Sequence, residues 1–160
     1  MVSDLARRAW AVAAAVPDPE IPVVTLEDLG ILRGVEEEGR TAVVRLSPTY
    51  SGCPATAAIE LSVAEALAGA GIPARIERVL SPAWTTDWIT AEGREKLRAY
   101  GIAPPVAGGK ASLFGAGPDV PCPRCGSAAT ERVSEFGSTP CKAHWRCTAC
   151  GEPFDYFKCI

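Results

Sequence analysis

One histidine, His144, occurs in the 160 residues of this chain. That scarcity argues against a Cys–His catalytic pair for any cysteine far from residue 144. It also leaves no helix pair carrying Glu and Glu-x-x-His ligands for a di-iron centre. No Gly-rich dinucleotide loop follows a strand pattern, and no cysteines stand at plant-type iron–sulfur spacing. Basic residues do not outnumber acidic ones: 16 against 19 gives a net charge of −3, which excludes nucleic-acid binding through a basic face. No run approaches the ~18 apolar residues that would cross a bilayer, so no membrane role is expected. With 48% hydrophobic and 22% charged residues, a packed core is expected and disorder is not.

Arg7-Arg8 ahead of the apolar stretch Ala9–Val16 imitates a secretory signal. The stretch is short, Asp4 lowers the preceding charge, and Pro17-Asp18-Pro19-Glu20 follows in place of a cleavage site. The expectation is a first helix over Leu5–Val16, stopped by Pro17. Strands are expected over Leu29–Val35 and Thr41–Leu46, around the polar turn Glu36-Glu37-Glu38-Gly39. A helix opens at Pro54, with Ile59, Val63, Ala66, Leu67 and Ala70 on its apolar face and Gly69 and Gly71 at its end. Ala74–Leu80 reads as a third strand and Thr86–Thr90 as a short extended piece, with Thr90 capping a helix over Ala91–Tyr100. The fold class is therefore α+β: a small mixed sheet with helices packed on it, followed by a small four-cysteine zinc ribbon. The expected organisation is a first domain over 1–100, a Gly/Pro-rich linker over 101–118 in which Leu113 and Phe114 are available for docking, and the ribbon over 119–160.

Seven cysteines are present, six of them between Cys122 and Cys159. Cys122-Pro-Arg-Cys125-Gly126 and Cys147-Thr-Ala-Cys150-Gly151 are two complete knuckles. Two residues between cysteines let both sulfurs reach one ion from a tight turn, and the following Gly allows a positive φ there. The pattern points to one metal held by Cys122, Cys125, Cys147 and Cys150, in a reducing, cytoplasmic setting. A four-thiolate tetrahedron suits zinc in a structural role, and it suits a single iron as well. A ribbon this small draws its folding energy from the metal. His144 is an alternative ligand to one of the four. Cys141 and Cys159 read better as buried small residues than as a second metal site. Residues 119–160 carry five acidic and five basic side chains, so with four thiolates on the ion a phosphate partner is disfavoured. Trp145, Phe154, Tyr156 and Phe157 are read instead as a surface for a protein partner, some of them necessarily serving as core.

Cys53 stands alone, just before Pro54 at the expected N-cap of a helix, where unpaired N–H groups favour a thiolate. Thr49 and Ser51 are placed to add hydroxyl hydrogen bonds. Such a residue is a nucleophile, a redox thiol, a metal ligand, or a buried cap with no chemistry.

Asp18-Pro-Glu20-Ile-Pro, Asp28-Leu-Gly-Ile31 and Thr49-Tyr-Ser-Gly-Cys53-Pro resemble, in order and spacing, the family of small α/β iron–sulfur assembly proteins that includes SufT. The ribbon, the segment Phe136–Ala143 and the closing Phe154–Cys159 resemble its PaaD branch, also named PaaJ, whose members are components of the phenylacetyl-CoA epoxidase (ring-1,2-epoxidase). That resemblance implies a role in aerobic phenylacetate catabolism. The cofactor signatures of the oxygenase and reductase are missing, so it implies an accessory protein without activity of its own. Its task would be to load iron or an iron–sulfur cluster into one of those components. It marks Cys53, Asp18 and Glu20 as the iron or cluster contacts. One thiolate cannot hold a cluster unaided, so either a homodimer brings two copies of Cys53 together or a client lends ligands. Two alternatives remain: a non-catalytic structural or regulatory subunit bound to the oxygenase through the ribbon, and an enzyme using Cys53 with Asp18 or Glu20.

Overall fold

The structure, a computed structural model, describes residues 2–106 and 118–158. Most of the expected linker, with Leu113 and Phe114, lies outside the described residues, as does Cys159. The chain divides into two compact units, Met1–Gly93 and Arg94–Ile160.

The first unit is α+β. Helix α1 (Asp4–Ala14) opens on Ser3, whose hydroxyl accepts the Ala6 N–H at 3.1 Å. Its buried stripe is made of small residues, Ala6, Ala9 and Ala13, at helical spacing, so the helix lies close against what it covers. Strands β1 (Leu32–Glu38) and β2 (Thr41–Leu46) form an antiparallel pair. Helix α2 (Ala55–Gly69) then crosses back to β3 (Ala74–Arg78), which pairs parallel to β2. The sheet order is β1-β2-β3. Helix α1 packs on β1 and β2, and α2 on β3 and α1. As the periodicity predicts, α2 buries Ile59, Val63 and Leu67. Ala66 is half-buried and Ala70 is exposed, so the apolar face is narrower than expected.

The other face of the sheet is closed by charge. Arg45 makes a two-pronged contact with Glu36 at 2.6 and 3.0 Å and reaches Glu77 at 3.4 Å. Arg75 bonds Glu38 at 2.6 Å and also Glu77. Val43 pairs in register with Glu36 and Arg75 and is fully buried. This lattice explains a correction to the sequence reading. The pattern places the strand's end before Glu36, yet β1 runs through Glu38, because Glu36 and Glu38 find cationic partners on β2 and β3. The turn follows at Gly39, with φ +63°. At the other end β1 begins three residues later than expected, because Leu29–Ile31 form a tight corner.

That corner explains the Asp28-Leu-Gly motif. The Asp28 carboxylate accepts the Thr25 N–H at 2.9 Å, and its backbone carbonyl accepts the Thr90 N–H at 2.9 Å. Trp84 donates its indole N–H to the Leu29 carbonyl at 2.8 Å. Gly30 has φ +68°, and a Cβ there would stand 2.6 Å from the Trp88 backbone oxygen. Residues Thr86–Trp88, expected to be extended, are a 3-10 turn that this corner holds in place. Thr90 caps α3 (Ala91–Tyr100) as predicted, accepting the Gly93 N–H at 2.9 Å.

The second unit contains a four-stranded sheet in the order β4-β7-β6-β5, with β4 Ile102–Ala103, β5 Thr130–Ser134, β6 Lys142–Cys147 and β7 Pro153–Phe157. Ile102–Ala103, read from sequence as linker, is a strand paired parallel to β7. The expected aromatic docking surface is corrected as well. Trp145, Phe154, Tyr156 and Phe157 are all buried. Trp145 meets Tyr156 edge to face, with centroids 5.9 Å apart. A unit this small must build its core from the few large residues it has, so its aromatics turn inward. An exposed aromatic of the ribbon is Phe136, 64% accessible, with the Lys158 ammonium 4.3 Å from its ring centroid.

Gly30 and Gly39 share a positive φ but differ in surroundings: nothing lies within 4 Å of a Cβ built on Gly39. Gly39→Ala is expected to cost about 1–2 kcal/mol, the strain of the left-handed conformation. Gly30→Ala adds overlap with Trp88 and is expected to cost at least about 1 kcal/mol more. Urea unfolding followed by tryptophan fluorescence compares the two; equal losses would contradict the corner described here.

Candidate functional site

Both knuckles have the geometry their sequence predicts, and they repeat each other. Gly126 and Gly151 adopt φ +74° and +79°. Each donates its N–H to the carbonyl of the first cysteine of its knuckle, Gly126 to Cys122 and Gly151 to Cys147, at 2.9 Å. The first cysteine N–H is bonded in turn across the turn, Cys122 to Ser127 at 3.0 Å and Cys147 to Glu152 at 2.8 Å. The Cys150 N–H points at the Cys147 sulfur, 3.5 Å away.

The result is a quartet. The sulfurs of Cys122, Cys125, Cys147 and Cys150 all lie within 4.8 Å of one another. Cys122 Sγ stands 3.8 Å from Cys150 Sγ, and Cys125 Sγ stands 3.6 Å from Cys147 Sγ. Four sulfurs bound to one ion at about 2.3 Å in a tetrahedron stand about 3.8 Å apart, so the spacing and the soft donor set fit a four-thiolate zinc or iron. His144 is not part of the quartet; its Nδ1 lies 3.7 Å from the Asp155 carboxylate.

Without a cation two thiols of the quartet are driven in opposite directions. The backbone N–H groups of Cys150 and Ala149, with help from neighbouring thiols and against burial, bring the Cys147 thiol down to about 7. At Cys150 the Glu152 N–H pulls the same way. Burial and the facing sulfurs of Cys125, Cys147 and Cys122 overcome it and push that thiol up to about 12. A divalent ion reverses the balance by supplying the charge that the sulfurs lack.

The loop residues of the first unit are arranged differently. Asp18 is buried, and its Oδ1 accepts the N–H groups of Glu20 and Ile21, each at 2.8 Å. It therefore shapes the loop that displays Glu20, which is exposed. Cys53 is half-buried one residue ahead of Pro54, the N-cap of α2. Pro54 already has helical dihedrals, and the Cys53 carbonyl accepts the Thr56 N–H at 3.2 Å. The cysteine thus stands at the threshold of the helix, displaced by one residue from the expected cap. Thr49 is half-buried and Ser51 exposed on the same loop. Among the described residues the ribbon quartet is the one gathering of three or more His, Cys, Asp or Glu donors. Cys53, Asp18 and Glu20 are not brought together as a three-donor site.

Sequence reasoning passes over a second polar cluster in the ribbon. Lys142 is buried, with Nζ 3.8 Å from Asp155 Oδ2, and Ser138 donates to the same carboxylate at 3.3 Å. Gly137 is pressed against Asp155: a Cβ there would lie 2.9 Å from the carboxylate. The signal that could have found it is the lysine of β6 on the same face as His144, across from Asp155 of β7.

Comparison with known proteins places these features. The family model described as an iron-sulfur cluster assembly protein matches residues 8–80, and the one described as the PaaD zinc beta ribbon domain matches residues 107–158. A protein of Escherichia coli (strain K12), provisionally named as the D component of a 1,2-phenylacetyl-CoA epoxidase, is 51% identical over 152 residues, covering 94% of this chain and 91% of that protein. The chain belongs to the PaaD family. The crystal structure of a domain of unknown function, DUF59, from Bacillus anthracis is similar with a TM-score of 0.53 and 25% identity, covering 58% of this chain and 91% of that one. No helix among the described residues is long and apolar enough to cross a membrane.

Metal binding to this quartet requires proton release, because Cys150 holds its proton at any ordinary pH when the ion is absent. Zinc uptake is therefore expected to release protons, and affinity is expected to rise with pH and collapse on acidification. Calorimetry in buffers of different ionisation enthalpy reads the release directly; uptake without protons would contradict the site. Cys147→Ser removes a fully buried sulfur and is expected to abolish stoichiometric metal binding and leave residues 119–160 open to proteolysis.

Proposed function

We propose that this chain is an accessory protein in the maturation of a phenylacetyl-CoA epoxidase in phenylacetate catabolism, helping to load iron or an iron–sulfur cluster into its oxygenase or reductase component. The observation that carries this reading is the fusion itself. One chain, related over almost its whole length to an epoxidase subunit, devotes residues 8–80 to a domain of the iron-sulfur cluster assembly type. The cargo is iron or a cluster. Cys53, half-buried on the loop before α2, is the soft contact, and Glu20 is the exposed member of the acidic loop that Asp18 shapes. Because these donors do not converge within one copy, the cargo completes its ligand set from a client or from a second chain. Zinc held by Cys122, Cys125, Cys147 and Cys150 is structural: it ties the two knuckles together and takes no part in transfer. Buried Asp18 is a positioning residue in this scheme, since its Oδ1 organises the backbone of the loop.

The alternative, a non-catalytic subunit seated on the oxygenase through its ribbon, draws support from the naming of the relative as an epoxidase component. The substitution Cys53→Ser separates the two. It removes the soft donor with little change in volume and is expected to leave fold, stability and ribbon metal nearly unchanged. Growth on phenylacetate should fail. Normal growth of the Cys53→Ser strain would defeat the loading role and favour the scaffold.

A further inference from the structure

The four sulfurs of the ribbon are not equivalent. Cys122 and Cys147 are buried, whereas Cys125 and Cys150 are exposed. Each exposed sulfur has its near neighbour in the opposite knuckle, Cys125 with Cys147 at 3.6 Å and Cys150 with Cys122 at 3.8 Å. A cavity of about 440 Å³ opens onto the first knuckle, lined by Pro104, Pro105, Pro121, Arg124, Cys122 and Cys125 among others. It reaches Cys125 and not Cys150. The partner Cys147 is fully buried, which shields it from a small oxidant until Cys125 has reacted.

We propose that the ribbon is an oxidation-sensitive metal site in which Cys125 reacts first with small hydroperoxides and Cys147 resolves it as a disulfide across the two knuckles. This rests on the reading of the quartet as a metal site. In the first step the Cys125 thiolate attacks the nearer peroxide oxygen, the O–O bond breaks, and an alkoxide or hydroxide leaves, giving the sulfenic acid. In the second step the Cys147 thiolate attacks the Cys125 sulfur and expels hydroxide. Two electrons pass from the two thiolates to the peroxide, and the ion keeps its charge. Only Cys122 and Cys150 remain as ligands, too few to retain it, so oxidation releases the metal and loosens the ribbon. The distance closed is short, from 3.6 Å to about 2.05 Å.

The test uses the full chain loaded with zinc. Its metal content is measured first, then hydrogen peroxide is added and zinc release is followed with a chromogenic chelator. Samples are alkylated at intervals, cut with trypsin and mapped by tandem mass spectrometry; cleavage after Arg124 separates Cys122 from Cys125. The expected result is one ion released for each Cys125–Cys147 disulfide, formed ahead of any other pair, with zinc taken up again after reduction. A first disulfide within a knuckle or between Cys122 and Cys150 overturns the proposal. So does zinc lost without a disulfide, or zinc retained after the other thiols of the chain have reacted. Those results leave the metal site standing. A chain that never binds zinc or iron in the first measurement overturns the metal reading itself.

Discussion

Four cysteine sulfurs brought within 4.8 Å of one another repel as soon as they ionise, and the local structure of residues 118–158 is organised around that gathering. Two matching turns, each with a positive-φ glycine, deliver the sulfurs at one end of the ribbon sheet, where the start of β5 lies beside the end of β6. The core behind them is assembled from Cys122, Cys147, Trp145, Phe154 and Tyr156, so two of the sulfurs are themselves core residues. Removing a cation from such a site does more than vacate it. It leaves four sulfurs crowded together, two of them in the core of a unit with little other apolar bulk.

The first unit has no comparable gathering of donors among its described residues. Its loops are fixed by buried carboxylates that accept backbone N–H groups: Asp18 at the turn carrying Glu20, and Asp28 at the corner, where it takes the Thr25 N–H while its own carbonyl takes that of Thr90. Such side-chain acceptors suit places where a loop has no ladder to join. The family's acidic motifs thus act in this chain largely through backbone.

Much of this was legible in the amino-acid sequence. The helix after Pro54, the strand Thr41–Leu46, the helix capped by Thr90 and the two knuckles follow from local chemistry and from spacing, and local chemistry decides them. The misreadings share a cause, which is tertiary partnership. Glu36–Glu38 look like a turn until Arg45 and Arg75 are placed beside them. Ile102–Ala103 look like linker until β7 offers an edge. The ribbon aromatics look like a docking face until one sees that its core is built from them. The relation of Cys53 to Asp18 and Glu20 depends on how separate loops come together, which spacing alone does not encode.

The central claim, that the chain serves cofactor loading, is met most directly in the client proteins. The oxygenase and reductase components are purified from cells with and without this gene, and the iron and labile sulfide of each are measured against protein. The loading account predicts that one component from the deficient cells is folded yet short of iron or sulfide, while the other is normal. Full cofactor content in both components, together with an epoxidase that fails to assemble or to turn over, would contradict it and leave the ribbon-bound scaffold as the better account.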